Sequence, residues 1–299
     1  MRKKILVIYY SQTGQLGDIC NNLTAPFIEA GHSVETVRIH PSVPYPFPWT
    51  GKSFFAVMPD CVHGVPTQLQ PFQLKETAYD LIVLGYQAWF LSPSIPSNSI
   101  LSHPSVKKVL KDTPVVTITG ARNMWISAVE RIRKTLKECG AKHVANIALV
   151  DKHANFVSFV TIFHWMFKGK KDRYLNIFPT PGVADEDINK CKTYGSIIDK
   201  YLRKGNYGGL QDEMVAQKAV VVKYNLMFIE SKARKIFAVW AKIIAKRKNK
   251  TAWLVAYKYY LIIALFIAAP IILTVDAIFF KPFLSGRIKK QKQHYLGVN

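Results

Sequence analysis

The 299-residue sequence has few cysteines and few acidic residues. Its four cysteines lie far apart and form no CxxC pair, which excludes a disulfide scaffold and a zinc ribbon and favours a reducing compartment. Neither GxGxxG nor GxxxxGKS/T is present, so neither a dinucleotide-binding Rossmann site nor an ATP-type P-loop is predicted. The N-terminal apolar run is short and has no small-residue cleavage site, so secretion is not expected.

Basic residues are in large excess. Against 19 Asp and Glu stand 41 Lys and Arg, a formal net charge of +22. Residues 201–299 hold 18 basic and 4 acidic residues, so most of the imbalance lies in the last third of the chain. Such a region suits either nucleic acid or an anionic membrane face. No zinc-finger, RNP-type or basic-zipper pattern accompanies it, so nucleic acid is not the expected partner.

The same region contains a long apolar run. Residues 212–248 predict one long amphipathic helix with a basic face. Residues 259–275 carry no charge, and apolar residues continue to Phe280, about the length that crosses a bilayer as a helix. Pro270 and Asp276 interrupt the run, and both flanks are basic, so a crossing helix and an interfacial helix both stay open. In either case we expect attachment to an anionic membrane.

Strand and helix patterns alternate along the first 200 residues. This alternation predicts an α/β fold with a doubly wound, five-stranded parallel sheet. Two segments interrupt it, a proline-rich stretch at 40–72 without regular elements and an apolar stretch within 151–184. A polar loop is predicted at 86–99. The predicted strands cover residues 4–10, 33–39, 80–85, 114–119 and 144–150.

In such sheets, ligands bind beyond the carboxyl ends of the strands. Three loops follow strand ends, and each combines groups suited to a phosphorylated aromatic ligand. The first offers hydroxyls at a helix N-terminus, the second an aromatic pair, and the third an amide and a tryptophan. The alternative is that these residues serve only the structure, by capping the helices that follow or by covering the edge of the sheet. The loops comprise Ser11, Gln12, Thr13, Gly14 and Gln15; Tyr86, Gln87, Ala88, Trp89 and Phe90; and Gly120, Ala121, Arg122, Asn123 and Trp125.

Taken together, KILVIYYSQTG, DLIVLGYQAWF and TITGARNMW resemble the phosphate loop and the two isoalloxazine loops of flavodoxin-like FMN-binding proteins. The resemblance implies FMN as the cofactor, the three loops as its binding residues, and the strand order 2-1-3-4-5. It covers about residues 3–150 and the helix at 185–202. The insertions at 40–72 and 151–184 and the basic, apolar tail depart from small flavodoxins.

A narrower likeness rests on PYPFPW, ARNMW, HANFVSF and IFPTPG. These stretches are similar to flavodoxin-like proteins of bacterial dialkylresorcinol and flexirubin-type pigment pathways. That likeness implies the aromatisation of a dialkylcyclohexanedione supplied by a ketosynthase-like partner.

His153 and His164 flank the apolar insertion and are candidates for a general base. The alternative is that His153 only caps the start of this segment and that His164 only lies on a helix face. Tyr86 and Arg122 are further candidates, one donating to a ring oxygen and the other stabilising an enolate. No metal site is predicted.

The sequence thus predicts three parts: a flavodoxin-like FMN-binding domain at 1–204, a basic amphipathic helix at 205–250, and an apolar, membrane-attaching segment with a basic end at 251–299. The expected function is FMN-dependent oxidation or reduction of a lipid-soluble ring substrate at the cytoplasmic face of the bacterial inner membrane. An NAD(P)H-dependent quinone reductase, a membrane-docked electron-transfer module and a flavin-free scaffold stay open. Whether the chain forms a homo-oligomer also stays open.

Overall fold

The computed structural model describes residues 2–298. Its centre is a five-stranded parallel sheet formed by β1 (Lys4–Tyr9), β2 (Ser33–Arg38), β3 (Leu81–Tyr86), β6 (Pro114–Ala121) and β7 (Lys142–Val150). The strands lie in the order β2-β1-β3-β6-β7. Counted along this sheet, the order is 2-1-3-4-5, which confirms the predicted fold class. Apolar side chains on both faces of the strands are buried, as helices covering both faces of a parallel sheet require.

Helices cover each face of the sheet. On one face α1 (Gln15–Glu29) and α8 (Asp185–Lys204) pack so closely that a Cβ at Gly195 would lie 2.0 Å from the Leu23 carbonyl oxygen. Only glycine allows that approach. The opposite face carries α4 (Ile95–Ser102), α5 (Pro104–Leu110) and α6 (Ile126–Glu138).

Two expectations about the insertions and loops were wrong. Residues 40–72 contain the short helices α2 (Gly51–Ala56) and α3 (Met58–His63). Thr50 caps α2 through a capping box, and proline in the first turn of α3 loses no helical hydrogen bond. Residues 86–99, predicted as a loop, hold a hairpin of β4 (Ala88–Trp89) and β5 (Ser92–Pro93) and the start of α4.

The predicted single helix at 212–248 was also wrong. The chain forms α9 (Leu210–Ala216) and α10 (Tyr224–Ala245), separated by a segment in which Lys218 has a φ of 59°. In that segment the carbonyl of Ala219 accepts a hydrogen bond from the N–H of Ala148 at 2.9 Å, so the chain follows the edge of the sheet. The edge strand β7 thereby gains a hydrogen-bond acceptor for the N–H of Ala148, which a continuous helix could not supply.

The C-terminal segment forms one long helical element, α11 (Lys250–Leu296), of 47 residues. It is long and apolar enough to cross a membrane and is about 70 Å in length. Within residues 2–298, α11 alone meets that criterion. It contains a π-helical turn at Ala264–Ala268 and another at Asp276–Phe280.

The helix α11 contacts the rest of the chain near its start, in its middle and at its end. Near its start, the Tyr257 ring packs against Phe55 of α2, with centroids 6.1 Å apart. In its middle, the hydroxyl of Tyr224 donates to the buried carboxylate of Asp276 at 2.8 Å. At its end, the guanidinium of Arg133 in α6 donates to the carbonyls of residues 294, 295 and 297. The helix therefore lies alongside the domain instead of projecting away from it.

Candidate functional site

The three predicted loops meet at the carboxyl end of the sheet and line one cleft of about 280 Å³. The sheet topology explains this meeting, because β1, β3 and β6 are neighbours and all end at the same edge. From the predicted residues, the cleft takes Gln12, Thr13, Gln15, Gln87, Ala88, Trp89, Phe90, Gly120, Ala121 and Arg122.

The first loop joins β1 to the N-terminus of α1. Gly14 has a φ of 92°, a conformation that favours glycine, and it lets the chain turn into the helix. The Ser11 hydroxyl is buried and accepts the N–H of Gly17 at 3.4 Å, so it shapes the turn instead of facing the cleft. Within residues 2–298, no hydrogen-bond acceptor pairs with the N–H groups of Thr13, Gly14 and Gln15. These donors, together with the helix dipole, favour an anion.

The second loop supplies aromatic surface. Trp89 packs edge-on against Tyr10, Tyr45 and Trp49, with centroid distances of 6.1, 5.3 and 5.5 Å. Such edge-to-face contacts hold a ring in a defined orientation. Phe90 lies 4.8 Å from the ring of Phe54 in α2.

Gln87 in the same loop carries an unusual polar atom. Its Oε1 is buried in the wall of the cleft and has no hydrogen-bond partner in the part of the chain that the structure describes. A buried, unpaired acceptor is costly, so it indicates a site for a ligand donor.

Some residues of the third loop line the cleft, and others lie in the core or outside the cleft. Arg122 lines the cleft and donates to the backbone oxygen and the side-chain Oδ1 of Asn155, at 3.2 and 3.0 Å. Burial lowers the pKa of its guanidinium, and nearby Asp151 opposes that shift. The side chain stays cationic at neutral pH. Asn123 donates to Asn155 at 2.9 Å, outside the cleft, and Trp125 is buried in the core.

Three of the four predicted acid–base candidates, Tyr86, His153 and His164, lie away from the cleft. Tyr86 is fully buried because β3 directs its ring into the core, and its hydroxyl has no partner within residues 2–298. His153 is exposed beyond β7, where its N–H donates to Asp151 at 2.9 Å. Neither lines the cleft, so this geometry does not support catalytic roles for them. His164 is also outside it, paired with Asp172 at 2.8 Å.

Sequence reasoning missed the residues that cover the cleft. Phe47 and Trp49 come from the proline-rich insertion, and the Trp49 indole donates to Gln12 Oε1 at 3.1 Å. The helix α7 (Asn155–Lys168) adds Phe163 and Trp165. Two features of the sequence were available to indicate these residues. Proline alternates with aromatic residues in YPFPW, and the segment that forms α7 is apolar on every face.

The two insertions meet over the cleft. The N–H of Trp49 donates to the carbonyl of Met166 at 2.8 Å, and the rings of Phe47 and Trp165 lie 6.5 Å apart. A Cβ at Gly182, where φ is 88°, would lie 2.8 Å from the Trp165 ring. Glycine there allows Trp165 to seat in the wall of the cleft. The two insertions thus contact each other and together form one side of the cleft.

No protein-family model and no curated protein sequence matches the chain. Solved structures that match include a flavoprotein from Lactobacillus acidophilus NCFM in complex with FMN, at 18% identity and a TM-score of 0.40. That match covers 49% of this chain and 92% of the flavoprotein.

A flavodoxin from the domain Archaea matches at 10% identity and a TM-score of 0.37, covering 67% of this chain and 99% of its own. The flavodoxin-like domain of a Synechococcus protein matches at 12% identity and a TM-score of 0.34. That match covers 67% of this chain and 99% of the Synechococcus domain. The fold of this chain is flavodoxin-like, as its strand order shows.

Proposed function

We propose that this chain is a membrane-associated, FMN-dependent oxidoreductase acting on a lipid-soluble ring. The observation that carries the proposal is the convergence of three strand-end loops on one aromatic cleft beside a long apolar helix. The anion-binding donors, the flat aromatic walls and the cation Arg122 suit a phosphorylated ring cofactor together with an oxygen-bearing substrate.

The residues present fit FMN on two structural observations. The unpaired Oε1 of Gln87 offers an acceptor in the cleft wall, which would pair with a ring N–H of bound FMN. The N-terminus of α1 offers N–H groups at Thr13, Gly14 and Gln15 that are unpaired within the described residues, where a phosphate would be held. Bound FMN would supply two-electron redox chemistry.

The chain's own residues then have distinct tasks. Trp89 and Phe90 orient a flat ring through packing, and Gln87 selects a ring with an N–H donor. Arg122 places a positive charge where a substrate oxygen gains negative charge, which favours an enolate over a neutral ketone. The cover formed by Trp49 and Trp165 excludes water and strengthens these polar contacts.

Membrane association rests on α11. Its outer face exposes apolar side chains along most of its length, and basic residues lie at both ends of the helix. Attachment of the helix to the domain at three points favours a helix lying in one leaflet over one that crosses the bilayer. The large, exposed apolar residues are Val255, Tyr259, Ile262, Ile263, Phe266, Ile267, Ile271, Ile272, Val275, Ile278, Phe279, Phe280 and Phe283.

A lipid-soluble cyclic dione is the substrate class we favour. Its conversion to a resorcinol removes two electrons and two protons, which matches the capacity of a flavin. A ketosynthase-like enzyme would supply such a dione, and the flavin domain would face the cytoplasm, on the side of the basic residues. The insertions that cover the cleft disfavour a bare electron carrier, since a carrier needs its flavin edge accessible.

The deciding experiment is an absorption spectrum of the protein extracted in mild detergent, with the released cofactor identified by mass. Stoichiometric FMN supports the proposal. An empty protein that fails to bind added FMN overturns it. Anaerobic addition of a dialkylcyclohexanedione should then bleach the bound flavin, whereas bleaching by NAD(P)H alone, with re-oxidation by a quinone, would assign a quinone reductase instead.

A further inference from the structure

A second cavity of about 430 Å³ lies between α7 and α11. Its walls are aromatic and aliphatic, and among the described residues that line it Lys258 is the one charged side chain. Phe159 packs edge-on against Phe266 of α11, with centroids 4.9 Å apart, so the two helices meet through their rings. The remaining walls come from Gly51, Phe55, Phe163, Phe167, Leu261, Ile262 and Leu265.

This cavity adjoins the cleft. Phe163 lines both spaces, and its ring lies 4.2 Å from Phe159 and 5.2 Å from Phe167, which line the second. The cleft contains the polar groups of Gln12, Gln87 and Arg122, whereas the second cavity is almost wholly apolar. A polar and an apolar compartment therefore share one wall residue, Phe163.

We propose that the second cavity binds the alkyl chain of a substrate whose ring occupies the cleft. The inference rests on the proposed function and specifies its substrate class as a ring that bears a long, uncharged chain. An apolar wall stabilises a bound alkyl chain by removing its surface from water, and it offers no hydrogen-bond partner to a polar chain. Because α11 also borders the membrane-facing surface, a chain can enter from the leaflet without crossing water.

A pair of neighbouring isoleucines provides matched variants. Ile262 lines the cavity at its open side and is 42% exposed, whereas Ile263 is 55% exposed and does not line the cavity. Ile262→Trp should fill the cavity, and Ile263→Trp should add the same ring to the surface. Equal circular dichroism spectra and equal flavin content in the two variants would establish that both have folded.

The probe is 2-dodecyl-1,4-benzoquinone with a diazirine at the chain end, mixed with the protein in nanodiscs and photolysed. Digestion and mass spectrometry then locate the cross-links. We expect labelling within residues 159–167 and 258–266. Labelling should fall at least fivefold in Ile262→Trp and stay within twofold in Ile263→Trp. Equal labelling of the two variants would overturn the proposal.

Competition separates a substrate chain from a bilayer lipid. Unlabelled 2-dodecyl-1,4-benzoquinone should displace the probe, and phosphatidylcholine with chains of equal length should not. Equal competition by the phospholipid would assign the cavity to bilayer lipid and overturn the proposal. The labelling is measured with and without added FMN. Cavity labelling in a protein that never binds FMN would contradict only the proposed function, and FMN binding without cavity labelling would contradict only this inference.

Discussion

The carboxylate of Glu230 accepts a hydrogen bond from the backbone N–H of Ser127 at 2.6 Å. This contact joins α10 to the first turn of α6, two residues after the end of the third cleft loop. Burial raises the pKa of Glu230 to about 7, although the Ser127 N–H and Arg234 favour the charged form. Its second oxygen, Oε2, has no partner within residues 2–298.

The first prediction concerns pH and Glu230. Because its pKa is higher in the folded chain, the folded state binds the proton more tightly, and stability falls as pH rises from about 4.5 to 7. The loss is on the order of 3 kcal/mol over that window. Glu230→Gln keeps an acceptor for Ser127 and removes the charge, so it should flatten this dependence. Urea unfolding across a range of about pH 4.5 to 8.5 measures it, and an unchanged slope in the variant would contradict the assignment.

The second prediction concerns the unpaired acceptor of Gln87. Gln87→Leu should weaken FMN binding about tenfold, since it removes a buried hydrogen-bond acceptor from the ligand. Stability without FMN should not fall, because the same change removes an unpaired buried atom from the free protein. Flavin fluorescence titration of the apoprotein gives the affinity. Gln70→Leu, at an exposed position, is the control and should bind FMN normally.

A third prediction concerns the orientation of α11 in the membrane. Single cysteines replacing Lys250 and Gln293, both exposed, mark the two ends of the helix. With Cys139 replaced by serine, an impermeant maleimide should label both ends from the same side of sealed vesicles. Both ends contact one domain, so they should lie on one side of the bilayer. Labelling from opposite sides would establish a crossing helix and refute the in-plane arrangement.

The fourth prediction tests the attachment at the middle of α11. Tyr224→Phe deletes the donor to buried Asp276 and leaves the carboxylate without its partner. We expect a loss of about 1–3 kcal/mol in unfolding free energy, together with faster trypsin cleavage after Arg287, an exposed residue that follows Asp276 in α11. Tyr259→Phe is the control, because Tyr259 also lies in α11 but is 58% exposed; it should change neither the unfolding free energy nor the cleavage rate. Equal cleavage rates for both variants would mean that the hydrogen bond does not hold the helix.

Much of the fold was predictable because it depends on local pattern. Apolar runs such as Lys4–Tyr9 and Leu81–Tyr86 form buried parallel strands wherever both faces are covered. The resemblance to flavodoxin-like proteins implied the order of those strands, and the structure confirms that order, which brings three loops together at one edge of the sheet. The position of the cleft was thus available from sequence.

The helix break before α10 was not predictable by periodicity. Val215, Ala219, Val222 and Leu226 keep helical spacing, yet the backbone of Ala219 pairs with β7, about 70 residues earlier. An unpaired sheet edge outweighed local helical preference, since tertiary hydrogen bonds and burial exceed propensities of a few tenths of a kcal/mol per residue. The helices of the proline-rich insertion were missed for a related reason, because their apolar faces depend on α10 and α11.

By itself, the sequence determined the strands, the three loops that follow them and the apolar length of α11, because each depends on neighbours within one element. Only the tertiary structure decided that Tyr86 and Trp125 lie in the core while Gln87 and Arg122 face the cleft. It also decided that α7 covers the cleft and that α11 lies along the domain. These outcomes depend on contacts between residues far apart in the chain, where side-chain packing and hydrogen bonding override local pattern.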